Sequence, residues 1–104
     1  MAVHNAELAR RITRGNAPWV IDARSTFEFK GGHIPQAVHA PVLKIMLKRA
    51  RLPKEKSCEL VITCEHGPRA MMAKALLAIY GYRNATLLKG HMLGWRRAGL
   101  PLER

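Results

Sequence analysis

The chain has 104 residues, with 18 Lys and Arg against 7 Asp and Glu, a formal charge of +11. That length suits one domain over residues 1–104 with a modest core, and a hydrophobic content of 48% excludes a disordered chain. No apolar run reaches the roughly 18 residues of a bilayer span and MAVHNAELARR lacks an apolar signal core, so no membrane role and a cytoplasmic location are expected.

Asn5 is the expected N-cap of a first helix. Leu8 and Ile12 mark its buried stripe and Gly15 its end. WVID (Trp19 to Asp22) is a short apolar run and reads as a strand. Ser25 and Glu28 stand at capping-box spacing and open the next turn. VHA reads as a short extended piece after GHIPQA. From Val42 to Arg51, Leu43, Met46 and Leu47 recur at helical spacing, with Lys44, Lys48 and Arg49 outside, and Pro53 stops the helix. ELVIT is the next strand.

In the helix that follows, Met72, Leu76 and Tyr80 form one row, Ala73 and Leu77 lie beside it, and Gly81 suits the position just past its end. ATLL is a further strand. Gly90 precedes a short helix carrying Met92, Leu93 and Trp95, which GLP ends. Alternating strands and helices predict an α/β domain with a mainly parallel sheet.

The two cysteines, Cys58 and Cys64, stand near opposite ends of ELVIT. Six extended residues span roughly 20 Å, far beyond the roughly 4.4–6.8 Å Cα separation of a disulfide, so no bond between them is expected. Two free thiols fit a reducing compartment. No Cys or His pair has zinc spacing, so no metal or other cofactor is expected. The basic residues are spread along the chain without interleaved aromatics, which disfavours nucleic acid; the charge reads first as a solvated basic surface, which could also dock an acidic protein partner.

The chemistry gathers in CEHGPR. Cys64 ends a strand and directly precedes a helix. Ligands of parallel α/β sheets bind at such strand ends. A thiolate beside the unpaired N–H groups of a helix start is stabilised, and the same donors hold anions. Gly67 lets the backbone fold closely around the sulfur, Pro68 suits the first helical turn, and Arg69 offers a cation. The competing reading is a buried structural cysteine.

These residues resemble the single-domain rhodaneses, a family of sulfurtransferases. The matching pieces are WVIDARSTFEFKGGHIPQAVHAP, LVITCEHGPRA and YGYRNATLLKGHMLGWRRAGLP, in family order. The resemblance implies a three-layer domain with a five-stranded, mainly parallel sheet flanked by helices. It implies Cys64 as the nucleophile, taking a sulfane sulfur as a persulfide. The persulfide would lie in a cup made by Glu65, His66, Gly67, Pro68 and Arg69. The donor would be a small sulfur-containing anion such as thiosulfate, or a persulfide or thiol donor. The acceptor would be cyanide, a thiol or a protein. The chain departs from the family pattern at Ala70, where a hydroxyl residue often caps the helix, at Gln36 in place of a glycine, and at Gly90-His91 in place of paired glycines.

Cysteine phosphatases share this helix-terminal anion cup, but their loop has five residues between Cys and Arg. Here only Glu65 to Pro68 intervene between Cys64 and Arg69, and no acid aspartate stands nearby in sequence. A tighter cup fits one sulfur better than a phosphate. The resemblance places Asp22 and Arg24 near the site edge, as a network with Glu28 that pins the turn or as an attractor of an anionic donor. His33 reads as a packed turn residue, His66 as a weak positive contributor offset by Glu65, and Trp95 as core or pocket wall. The near-neutral loop keeps an alternative open: a non-catalytic rhodanese-fold sulfur carrier or protein-binding module.

Overall fold

The computed structural model describes residues 2–104. Five strands, β1 (Ala2–Val3), β2 (Trp19–Asp22), β3 (Val38–His39), β4 (Leu60–Thr63) and β5 (Ala85–Leu88), form one sheet in the order β1-β5-β4-β2-β3. Every pairing is parallel. Trp19 pairs with Leu60 and Asp22 with Thr63, so the carboxyl ends of β2 and β4 are level. The helices are α1 (Asn5–Arg14), α2 (Thr26–Lys30), α3 (Val42–Met46), α4 (Pro68–Ile79) and α5 (His91–Arg97).

The two-residue side-chain period of a strand divides the core. Ile21, Leu60, Ile62 and Cys64 point to one face, where Ile45 of α3 and Ala70, Ala73 and Leu77 of α4 cover them. Val20, Val61 and Leu88 point to the other, against Leu8 of α1 and Met92 and Trp95 of α5. The strands are apolar on both faces because both faces are covered. Cys64 therefore reaches the α4 side by the same alternation that buries Leu60 and Ile62.

The strand expectations hold at WVID and ATLL, and the capping box at Ser25 and Glu28 forms with both reciprocal bonds. Gly15 ends α1 in the left-handed conformation. Several expectations are corrected. Asn5 is the first helical residue of α1, and His4 precedes it without a side-chain cap. The helix expected over Val42–Arg51 stops at Met46, and its buried residue is Ile45, while Leu43, Met46 and Leu47 face outward. In α4 the buried row is Ala70, Ala73 and Leu77, and Met72 is 57% exposed. Small alanines let α4 approach the sheet closely. β1 is a strand not expected from the sequence, and its two residues pair with Leu87 and Leu88.

Candidate active site

Cys64 follows β4, the central strand, and is fully buried. The chain turns through Glu65 and His66 into Gly67, at φ 129°, and Pro68 opens α4. That φ excludes a side chain with a Cβ at low strain, so glycine is required here. The result brings the Gly67 N–H to 3.0 Å from the Cys64 Sγ, as donor to the sulfur. Both cysteines are free thiols.

The segment after β5 anchors the loop. The Met92 N–H donates to the Cys64 carbonyl at 3.0 Å, and the Leu93 N–H to the Glu65 carbonyl at 3.3 Å. The Thr63 hydroxyl also donates to the Cys64 carbonyl. His91 lies beneath the loop, buried, with its Nδ1 accepting from the Cys64 N–H at 3.4 Å. Burial, with His66 as a weaker neighbour, pushes the His91 imidazolium pKa below its ordinary value. No expected role from the sequence falls on His91. Its only signal was a histidine where the resembled pattern has a second glycine. The backbone keeps the left-handed region there, at φ 52°, and at Gln36, at φ 71°.

Charged side chains ring the mouth. Arg24 and Asp22 form a buried pair at 2.9 Å, and Arg24 also donates to the Gly32 carbonyl. Glu28 takes no part in that pair, contrary to the expected network of Asp22, Arg24 and Glu28. It accepts from the Ser25 N–H and hydroxyl and from both terminal nitrogens of Arg69, at 2.6 and 3.0 Å. The Arg69 bond, ahead of the Ser25 bonds and against desolvation, lowers the Glu28 carboxyl to about 2. Arg69 is thus a cation fixed in place by Glu28 rather than one free to turn, and its own pKa is raised first by that bond and less by the proximity of Cys64.

Glu65 accepts from both terminal nitrogens of Arg96 and lies 3.7 Å from Arg24. Its pKa is lowered, chiefly by the Arg96 hydrogen bond. His66 and Pro68 are exposed at the loop's outer edge. An open cleft of about 530 Å³ borders the loop, lined by Arg24, Phe27, Glu28, Glu65 and Arg96. A larger cleft of about 720 Å³ lies at the other end of β4, beside Lys48, Lys56, Tyr80 and Tyr82, and includes no loop residue.

Trp95 is core: it is 1% exposed, and its indole N–H donates to the Pro101 carbonyl. His33 packs in its turn, stacked on Phe29 at 3.8 Å, its Nδ1 2.9 Å from the Phe29 carbonyl oxygen. Among the described residues no three His, Cys, Asp or Glu side chains gather as a metal-holding group. Among the described residues no helix is long and apolar enough to cross a membrane.

The arrangement presents one buried sulfur with a backbone donor at the carboxyl end of a parallel strand. Comparison with known proteins matches it. The family model described as Rhodanese-like domain covers residues 4–98. A sulfurtransferase of Allochromatium vinosum is 30% identical over 100 residues, covering 96% of this chain and 92% of its own. A helix-turn-helix transcriptional regulator of Mycobacterium tuberculosis, Rv0324, is 32% identical over 98% of this chain, which spans only 44% of the regulator's length. Among solved structures, the human single-domain sulfurtransferase TSTD1 superposes with a TM-score of 0.78 at 28% identity, over 92% of this chain and 95% of that one.

Proposed function

The chain belongs to the rhodanese-like domain family, the family of its sulfurtransferase relatives, and on that premise we propose that it moves a sulfane sulfur from a donor to a thiophilic acceptor through a persulfide on Cys64. The observation that carries the reading is the Gly67 N–H, held 3.0 Å from the Sγ of a buried cysteine at the end of the central strand.

With thiosulfate as donor, the Cys64 thiolate attacks the outer sulfur. A new S–S bond forms, the donor's S–S bond breaks, and sulfite leaves with the electron pair. The terminal persulfide sulfur carries the remaining negative charge, and the Gly67 N–H is the donor that the loop offers beside it. Attack by cyanide on that sulfur releases thiocyanate and restores the Cys64 thiolate. A thiol acceptor leaves as its persulfide in the same way. No external oxidant or reductant is consumed.

The proposed roles of the neighbours follow from their bonds. Glu65, His66, Gly67, Pro68 and Arg69 shape the cup around the sulfur. Asp22 holds Arg24 at the mouth, where it and Arg96 offset the charge of Glu65. Trp95 supports the far side of the sheet. Most charges at the mouth are paired, and Lys30 adds one cation to the cleft, so it suits thiol persulfides as well as thiosulfate.

A second reading is a sulfur carrier or binding module that docks a protein. Phe27, 88% exposed at the rim of the loop-side cleft, favours it. Thiosulfate and cyanide are supplied and thiocyanate is measured, with Cys64→Ser alongside. Intact mass is read after incubation with polysulfide. Catalytic turnover supports the enzyme. Stoichiometric loading without turnover supports the carrier. A wild type that takes up no sulfur from any donor, or a Cys64→Ser variant that still does, refutes both the enzyme and the carrier.

A further inference from the structure

We propose that His91 is a positioning residue for the Cys64 loop, its neutral imidazole fixing the nucleophile's backbone at one edge and flooring the turn at Gly67 with the other. For its consequence in sulfur transfer this rests on the reading above.

The ring bridges two points that matter to the sulfur. At one edge, Nδ1 accepts from the Cys64 N–H at 3.4 Å, and the Met92 N–H next along the chain holds the Cys64 carbonyl at 3.0 Å. One dipeptide therefore engages both backbone polar groups of the nucleophile. At the other edge, Nε2 lies 3.2 Å from where a Cβ on Gly67 would stand. Gly67 is the residue whose N–H reaches the Cys64 Sγ. The imidazole thus spans from the backbone of the nucleophile to the donor of its sulfur contact.

The bond pattern sets the ring's state. An Nδ1 that accepts from a backbone N–H carries a lone pair, so the neutral ring holds its proton on Nε2. A protonated Nδ1 would set its own N–H against the Cys64 N–H, one donor facing another. Burial already disfavours the charged ring. The backbone at His91 stands at φ 52°, which glycine adopts freely and histidine at a cost. The side chain occupies this place although the local backbone favours its absence. The contacts to Cys64 and Gly67 are what it supplies in return.

The test compares His91→Gly, which relaxes the backbone but removes the acceptor, with His91→Asn, whose short amide oxygen can accept and which tolerates a left-handed φ. Sulfur loading from polysulfide is followed by intact mass, thermal melting is recorded beside it, and histidine ring nitrogens are read by ¹⁵N NMR. Loading in His91→Gly is expected to fall on the order of tenfold to a hundredfold, the usual effect of a misplaced reacting group. His91→Asn is expected to recover most of it. The wild-type ring should show a bare Nδ1 and a protonated Nε2 at neutral pH. Wild-type loading in His91→Gly, equal losses in Gly and Asn, or a protonated Nδ1 each overturn the assignment. If His91→Gly fails to fold, the Asn rate and the ring spectrum decide: a slow but folded Asn variant overturns it. If the wild type loads no sulfur, the sulfur-transfer reading fails, and the ring spectrum with hydrogen exchange at the Cys64 amide still judges His91.

Discussion

Glu28→Gln removes the charge that ties α2 to the start of α4. In the folded protein the carboxylate accepts from the Ser25 N–H at 3.0 Å and from Arg69 at 2.6 and 3.0 Å, and its pKa falls from 4.5 to about 2. A folded pKa below the unfolded one means that folding favours the ionised form. The stabilisation is complete above about pH 4.5 and is lost as pH falls towards 2. At about 1.36 kcal/mol per unit, the shift sets a ceiling of roughly 3.4 kcal/mol. The Glu28 and Arg69 side chains are 30% and 39% exposed, so water screens the pair and the realised value is about 1 kcal/mol. Gln keeps an oxygen for the Ser25 N–H, so the helix cap survives in part. For a domain of this size the variant should melt about 4–8 °C below wild type at pH 7. At pH 3 less than half of the gap should remain, because the unfolded carboxyl is by then protonated and the ionised form no longer gains from folding in full. Circular dichroism melts at pH 7, 5 and 3 check this. A gap of equal size at all three pH values, or none at pH 7, refutes the argument that the Glu28 charge is what matters.

Asp22→Ala should cost about 3–5 kcal/mol in urea unfolding, because it leaves the Arg24 guanidinium buried without its partner; a loss below about 1 kcal/mol would show that water reaches Arg24. Gly67→Ala should cut sulfur loading on Cys64 by about tenfold or more, since the methyl meets His91 Nε2 at 3.2 Å and the residue must hold φ +129°. Loading at the wild-type rate in Gly67→Ala would show that the loop has another conformation open to it. Arg96→Ala should leave Glu65 with only Arg24 and His66 nearby and raise the Glu65 pKa back towards 4.5, a shift that ¹³C NMR titration of the carboxyl reads directly; an unmoved titration would assign the lowering to Arg24 and His66.

Local interactions made much of this protein legible in its sequence. WVID and ATLL are runs of strand length, the first largely buried and the second half-buried once folded, and their limits matched residue for residue. The Ser25–Glu28 capping box and the Gly15 stop depend on neighbours within a few residues, so they survive into the fold unchanged. The position of Cys64, between a buried strand and a helix opened by Gly67-Pro68, was likewise readable from adjacent residues.

Tertiary packing decided what periodicity could not. Helix α4, PRAMMAKALLAI, is apolar around most of its circumference, so spacing alone cannot choose its buried row. The sheet chose Ala70, Ala73 and Leu77, whose short or well-placed side chains allow close approach, and turned Met72 outward. In α3 the helix stopped after one turn, which left Leu43, Met46 and Leu47 exposed and buried Ile45. Two-residue β1 carries too little pattern to be read as a strand, and only its partner β5 makes it one. The charges around the cysteine loop paired across long separations: Arg69 with Glu28, 41 residues away, and Glu65 with Arg96, 31 residues away. His91 reached Cys64 across 27 residues. Such partners are set by where parallel strands end, because β2, β4 and β5 deliver their following loops to one edge of the sheet, and no local pattern records which side chains will meet there.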